Sequence, residues 1–574
     1  MHSSIRPNQF VVLQLPSETT KIVSVVPNTL INCGKYGSFP ANQIIGRPFY
    51  LTYEIHETPG ETPSTFLRVV PATELHAESL ITEGEGDDDV ELNEEGLPIR
   101  SNREIIDNAS TQTLTLEEIE ALKRESTSAG KDIIAKILES HTAIDQKTAF
   151  SLAKYTLRKQ RKYMKRFTVF PMDASALTNY MLENRESAVK SMELRDELIG
   201  MIGCWGNVHH GGDASFEDVL SKPNGRYLVI DETGGLVLAA MAERMGILHP
   251  AEEPDEETET EQQIPTEDLA ADDSTEQSGQ TQAQRPQRPV PMSASGNTLT
   301  LIHSNKQANI SLLKYFGFDQ NTPDETHPLF THLKTISWLQ LLDPEADPIY
   351  AQEPPTIPES ELAALKTNKR GAYHRKRHRW SRVQSVVNEV REGGYDGLIV
   401  ASLMDPDSVL QYAVPLLAGS APVVVYSPTI EPLTEIADLY STARKTSYIN
   451  RKRDLEEARQ LTADQDQDED QQIQEGETEF PELAAEFPLN PTLLLAPTLE
   501  TLRVRPWQVL PGRTHPMMSG RGGSEGYIFH GIRVIPTTGF IQAAGNPSRK
   551  KRKLAPAQST TTPGSSSVDV EMKS

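Results

Sequence analysis

With 574 residues, the chain exceeds the roughly 250–300 residues at which a single hydrophobic core stops growing, so two domains with linkers are expected. Its net charge of −25 is placed in blocks, acid at Glu83–Glu95, Glu252–Glu276 and Asp464–Glu486, base at Arg158–Arg166, Lys366–Arg382 and Arg549–Lys553, a pattern of solvated segments and interaction surfaces. Only Cys33 and Cys204 occur, which excludes a disulfide framework and a cysteine-based zinc site. With no signal-peptide run and no stretch near the roughly 20 apolar residues of a membrane span, a soluble intracellular protein is expected.

Residues 1–75 alternate in the β manner at Phe10–Leu15, Lys21–Val26, Tyr50–Ile55 and Phe66–Val70, with Pro, Asn and Gly turns between them. This pattern predicts a small antiparallel β-barrel domain. Its Gly, basic and aromatic stretches Gly34–Pro40 and Ile45–Phe49 suit nucleic-acid contact or, equally, tight turns and core packing. Residues 76–114 read as an acidic loop. Over 115–166 the pattern is helical: Thr115–Glu118 resembles a capping box, and Ile119, Leu122, Ile133, Ile134, Ile137 and Leu138 recur at helical spacing. The last of these helices carries Lys154, Arg158, Lys159, Arg161, Lys162, Lys165 and Arg166 beside Tyr155 and Tyr163. That is enough charge to engage several phosphates, with a solvated helix face as the plainer alternative.

A second domain is expected over 167–545, opening with a strand at Phe167–Phe170. Its centre is Arg226–Gly246, an apolar strand ending in Asp231, then Gly234 and Gly235, then an Ala/Leu/Met-rich helix. This is the first βα unit of a Rossmann-type sheet, where glycines let a cofactor approach and the helix N-terminus offers free N–H groups. The loop is degenerate: Thr233 stands where a glycine is wanted, and the two glycines are adjacent. The strand Asn297–His303 ends in His303-Ser304-Asn305 rather than in the acid that takes ribose hydroxyls. Segments at about 250–296 and 451–486 read as disordered acidic inserts. Lys366–Arg382 is the most basic run; within it Lys369, Arg370, Arg375, Lys376, Arg377 and Arg379, with Tyr373 and Trp380, suit RNA backbone or an exposed insertion. Buried strands follow at Tyr395–Ser402 and Ala421–Ser427, with Asp405 between them expected to cap a helix, and Leu502–Leu510 and Tyr527–Ile535 are expected to close the sheet. His209 and His210 have no partner at a ligand spacing, so no metal is expected. The tail 546–574 carries Arg549, Lys550, Lys551, Arg552 and Lys553, a run of the nuclear-localisation type that points to the nucleus.

Read together, IIGRPF with LTYEI at Ile44–Ile55, KTAFSLAKYTLRKQRKYMKRFTV, GNVHHGG before GRYLVIDETGGLVLAAMAERMG, YDGLIVASLMDP, APVVVYSPTIEPL, and VLPGRTHPMMSGRGG with GYIFHGIRV resemble the non-catalytic subunits of eukaryotic tRNA (adenine-58-N1)-methyltransferases. The resemblance implies an α/β chain with an N-terminal β-barrel and a C-terminal Rossmann-like class I methyltransferase domain whose cofactor site is degenerate at Asp231, Gly234 and Gly235. It also implies a catalytic partner in a heterotetramer, two of each, with tRNA held across both and S-adenosylmethionine on the partner only. The rival readings are a self-sufficient S-adenosylmethionine-dependent RNA methyltransferase and a scaffold without RNA contact.

Overall fold

A computed structural model describes residues 4–57, 65–75, 112–125, 130–142, 149–210, 225–250, 297–322, 324–358, 361–362, 365–463, 480–510, 513–517 and 524–536. The N-terminal strands β1 (Phe10–Gln14), β2 (Thr20–Ser24), β5 (Thr52–Glu57) and β6 (Thr65–Val69) join an antiparallel sheet in the order β2-β1-β7-β5-β6, and β3 (Leu30–Asn32) and β4 (Ser38–Pro40) form a separate ribbon. The central strand, β7 (Arg166–Pro171), is the one the sequence assigned to the second domain. It pairs Val11 with Pro171 on one side and Tyr53 with Phe167 on the other. More than 100 residues of chain separate β7 from both partners, so no local pattern announces the pairing. The hydrogen-bonded order leaves β2 and β6 as edges, so among the described residues the sheet is open. Side chains block both edges: Gln43 accepts from Leu67 N at 2.7 Å and donates to Thr65 O at 2.9 Å, and Glu183 accepts from Thr20 N at 3.0 Å.

Alternation along β1 and β7 gives this sheet two apolar faces. Val11, Leu13, Phe167 and Val169 pack with Phe39 and Ile44 into the N-terminal core, while Val12 and Phe170 join the core of the second domain. Tyr36, Phe39 and Phe49 are buried, so the aromatics of the glycine-rich stretches serve packing. Three helices, Leu116–Glu125, Lys131–Glu139 and Ala149–Tyr163, cover the flank around Ile133, Ile134, Ile137 and Tyr163. The first begins with the expected capping box, Thr115 N donating to Glu118 Oε2 at 2.8 Å and Glu118 N to Thr115 Oγ1 at 3.3 Å.

The second sheet has seven strands, β10 (Leu333–Ser337), β9 (Thr298–His303), β8 (Arg226–Asp231), β11 (Gly397–Ala401), β12 (Pro422–Ser427), β16 (Tyr527–Arg533) and β13 (Leu494–Glu500), in that order. The first five are parallel and β16 is antiparallel to both neighbours. Cores lie on both faces, which is why the central strands read as continuous apolar runs. The edge strand is β13, not the expected Leu502–Leu510; β14 (Trp507–Leu510) instead pairs with β15 (Arg513–Pro516) as a separate ribbon. The helix Thr442–Ala463 runs into the segment 451–486 read as a disordered insert, and Pro481–Glu486 within that segment is helical too. Polar helices of this kind lack the apolar spacing on which the sequence reading relied. The acidic segment 251–296 and the basic tail run lie outside the described residues.

One buried acid ties the helical flank to the N-terminal sheet. Glu54 on β5 is 1% exposed and pairs with Arg68 of β6, Arg166 of β7 (2.9 Å) and Lys131 (2.9 Å). Burial alone would raise its carboxyl, but hydrogen bonds from the three cations outweigh burial and hold it at about 2. Its folded value lies below the ordinary 4.5, so this stabilisation is present above about pH 4.5 and is lost as pH falls toward 2. Glu54→Gln is expected to destabilise the N-terminal domain by about 3 kcal/mol. Hydrogen exchange should show faster amides across β5 and β7 in the variant, and unchanged rates there would remove the cluster from the stability of the sheet.

Candidate nucleic-acid interface and glycine-loop site

The turn after β8 is held by its own side chains. Asp231, 6% exposed, accepts from Thr233 N at 2.7 Å, Thr233 Oγ1 at 2.5 Å and Leu238 N at 2.9 Å, and the Thr233 hydroxyl accepts from Val237 N at 3.3 Å. Burial pushes the Asp231 carboxyl up, opposed by these bonds and one from the Gly235 amide. The Val237 and Leu238 amides in the first turn of the helix Leu236–Arg244, which would otherwise face an incoming anion, are thereby engaged. Gly234 (φ +82°) and Gly235 (φ +94°) make the turn. A Cβ on Gly235 would meet Ile310 Cα at 3.2 Å, and Leu312 N donates to Gly234 O at 3.1 Å. The glycines thus receive the chain's own Ile310–Leu313 segment.

Above the turn lies a cleft of about 140 Å³ between Asp231, Glu232, His303, Asn305, Trp338 and Met404, below the roughly 300–1,000 Å³ typical of ligand sites. Glu232 crosses the strand ends to accept from Ser402 Oγ at 2.9 Å and Leu403 N at 2.8 Å. β9 ends in His303, whose Nδ1 lies 2.7 Å from Asn305 O and whose burial lowers its pKa, favouring the neutral ring. The end of β9 itself, His303-Ser304-Asn305, carries no carboxylate for ribose hydroxyls. Asp405 does sit at the start of the helix Pro406–Ala413, but its carboxylate makes no cap bond; Ser408 Oγ instead donates to its carbonyl at 2.7 Å.

The structure divides the basic residues of the helix Ala149–Tyr163 and its exit into two sets. Arg161 pairs with Glu18, Lys165 with Glu57 at 3.0 Å and Arg166 with Glu54, while Tyr36 Oη donates to Arg161 O at 2.8 Å. These attach the helix to the sheet. Arg158 and Lys162 are exposed, and Lys154 and Lys159 are half-buried. The Lys159 ammonium stands 4.8 Å from the Tyr155 ring centroid, and the Tyr163 ring is shared by Lys162 at 5.1 Å and Lys123 at 5.4 Å. Sequence reasoning missed Lys123, which reaches this surface from another helix.

The second basic run is one helix, Thr367–Glu392. Its C-terminal half buries Val386, Val387 and Val390; its N-terminal half exposes Lys369, Arg370, Arg375, Lys376 and Arg379. Arg377 is half-buried, and Trp380 Nε1 donates to Tyr350 O at 3.1 Å, so this tryptophan braces the helix.

A seven-stranded, mostly parallel sheet in this order, with a glycine turn after β8, defines a Rossmann-like domain of the class I methyltransferase type, here with the turn packed against the chain's own Ile310–Leu313 segment. The chain belongs to the Gcd10p family, whose pattern matches residues 4–366. It is 63% identical to a protein of Aspergillus oryzae and 64% identical to one of Aspergillus fumigatus, each over the full length of both chains. Both carry the name tRNA (adenine(58)-N(1))-methyltransferase non-catalytic subunit trm6. The tRNA (m1A58) methyltransferase TrmI of Aquifex aeolicus overlaps 93% of this chain and 100% of its own at 8% identity, with a TM-score of 0.35; the fold assignment rests on the strand order.

Asp231→Ala would leave several buried amides of the turn without an acceptor, each worth about 1–3 kcal/mol. The expected outcome is a loss of about 3 kcal/mol in urea unfolding, with early exchange of the Leu238 amide. A midpoint equal to wild type would show that the turn does not depend on this carboxylate.

Proposed function

We propose that this chain is the non-catalytic subunit of a tRNA (adenine-58-N1)-methyltransferase, holding tRNA while a catalytic partner forms 1-methyladenosine in the T loop. One observation carries the reading: the helix amides and glycines that would receive a cofactor are taken by Asp231, Thr233 and the Ile310–Leu313 segment, on a chain that exposes two cationic helices. No residue here takes a chemical step. S-adenosylmethionine would be bound by the partner alone, and this chain would supply phosphate contacts that fix the tRNA's position.

The assembly would be a heterotetramer, two of each subunit, in the nucleus, with Arg549–Lys553 as the import signal. The N-terminal sheet and the β3–β4 ribbon, which share one core, would act as an opened barrel carrying the basic helix. Of the seven basic residues expected there to meet phosphate, Arg158, Lys159 and Lys162 remain the best placed, because Arg161, Lys165 and Arg166 are paired with acids.

Calorimetry with S-adenosylmethionine should show no binding to this chain alone and clear binding to the co-purified complex. Micromolar binding by the isolated chain would instead make it a methyltransferase in its own right. In the complex, replacing Arg158, Lys159 and Lys162 together with Ala should weaken tRNA binding and lower the slope of log K against log salt by about two to three. Partner assembly should be unchanged, and an unaltered slope would take that helix out of the RNA site.

A further inference from the structure

Between the long helix Thr367–Glu392 and the proline-rich segment before it lies an open cleft of about 630 Å³. The volume suits a nucleotide-sized ligand. Arg370, His374 and His378 line it from one row of the helix, with Arg377 beside them and Ile357 and Leu362 as an apolar wall. Spacing of four places successive side chains on one helix face. Among the described residues no carboxylate lines the cleft and no acid pairs with either arginine, although the chain is acidic overall.

Part of the lining is held in place. Tyr373 Oη accepts from Ile357 N at 3.2 Å, and Arg377 Nη1 is 3.2 Å from both Tyr373 Oη and Thr356 Oγ1. Among the described residues these bonds use Nη1 alone, which leaves the remaining guanidinium donors for a ligand. A guanidinium fixed in this way loses less freedom when it takes an anion. The Tyr373 phenol is held below its usual range, first by the Ile357 amide and then by Arg377, as expected of an oxygen surrounded by donors.

From this geometry we infer that the cleft takes an unpaired nucleotide of the bound RNA. Its phosphate lies on the row of Arg370, His374 and His378 beside Arg377, and its base lies against Tyr373 and the Ile357–Leu362 wall. A duplex backbone offers phosphates but no free base face, so the aromatic and apolar half of the cleft selects single strands. A cleft open to solvent lets the strand continue on both sides. The inference rests on the tRNA-holding role proposed above and adds a second, strand-selective contact to the Ala149–Tyr163 surface.

The test uses the full chain co-purified with its catalytic partner. Binding of tRNA is measured by fluorescence anisotropy across a salt series, with a short single-stranded RNA, a duplex of equal charge, a mononucleotide and inorganic phosphate as competitors. Wild type should release tRNA to the single strand at a concentration about tenfold lower than to the duplex. In the triple variant Arg370→Ala, His374→Ala, His378→Ala, all at solvent-facing positions, that preference should vanish and the salt slope should fall by about two. Replacement of Arg158, Lys159 and Lys162 should weaken tRNA binding while keeping the single-strand preference.

An unchanged preference and slope in the triple variant would overturn the cleft's role. So would competition by mononucleotide or phosphate equal to that of the single strand, which would mark a small-anion site. If wild type failed to bind tRNA at all, the proposed function itself would fall, and the two failures are thereby distinct.

Discussion

Among the described residues the Asp231 carboxylate is buried with no cation beside it, and the cost of that burial is opposed by hydrogen bonds from its own turn. The conformation of the turn after β8 follows from this arrangement. An acid ending the central strand of such a sheet stands where a cofactor would approach. Its oxygens and the amides of Thr233, Val237 and Leu238 are bonded within the turn itself. Thr233 makes the difference, because its hydroxyl both donates to Asp231 and accepts from Val237, roles a glycine cannot fill. The glycine turn is thereby held by its own side chains.

Rigidity of the other half depends on the placement of β7. A strand paired to both β1 and β5 and apolar on both faces makes the N-terminal sheet part of two cores. The basic helix Ala149–Tyr163 runs directly into this strand, and Arg161, Lys165 and Arg166 fasten the junction through Glu18, Glu57 and Glu54. Burial of Glu54 makes its pairing strong, whereas the more exposed pairs contribute little individually and mainly set orientation. Charges that look interchangeable in a basic run therefore divide into those that hold the helix and those that face outward.

An acidic chain can present cationic surfaces when its acids and bases lie on different elements. Here the outward cations come from helices whose lower faces are anchored in apolar cores, around Ile137 and Tyr163 in one case and Val387 and Val390 in the other. Field lines from such faces act over about 8–10 Å at physiological salt. A local basic patch can therefore engage phosphate despite the net charge.

Much of the second domain was determined by sequence alone. The continuous apolar runs of β8, β11 and β12, the turn at Gly234-Gly235 and the missing acid after β9 are local features, set by residue type and spacing within a few positions. Tertiary structure decided what depends on pairing at long range. It placed β7 in the first sheet rather than the second, β13 rather than Leu502–Leu510 at the edge, and Lys123 on the ring of Tyr163. It also carried helical form through the basic first half of Thr367–Glu392 and through Thr442–Ala463, where apolar residues are sparse. Most consequentially, it showed the partners of each basic residue. A sequence records that arginine occurs at 158 and 161, but only the folded chain brings Glu18 to one of them, because an ion pair depends on distance in space.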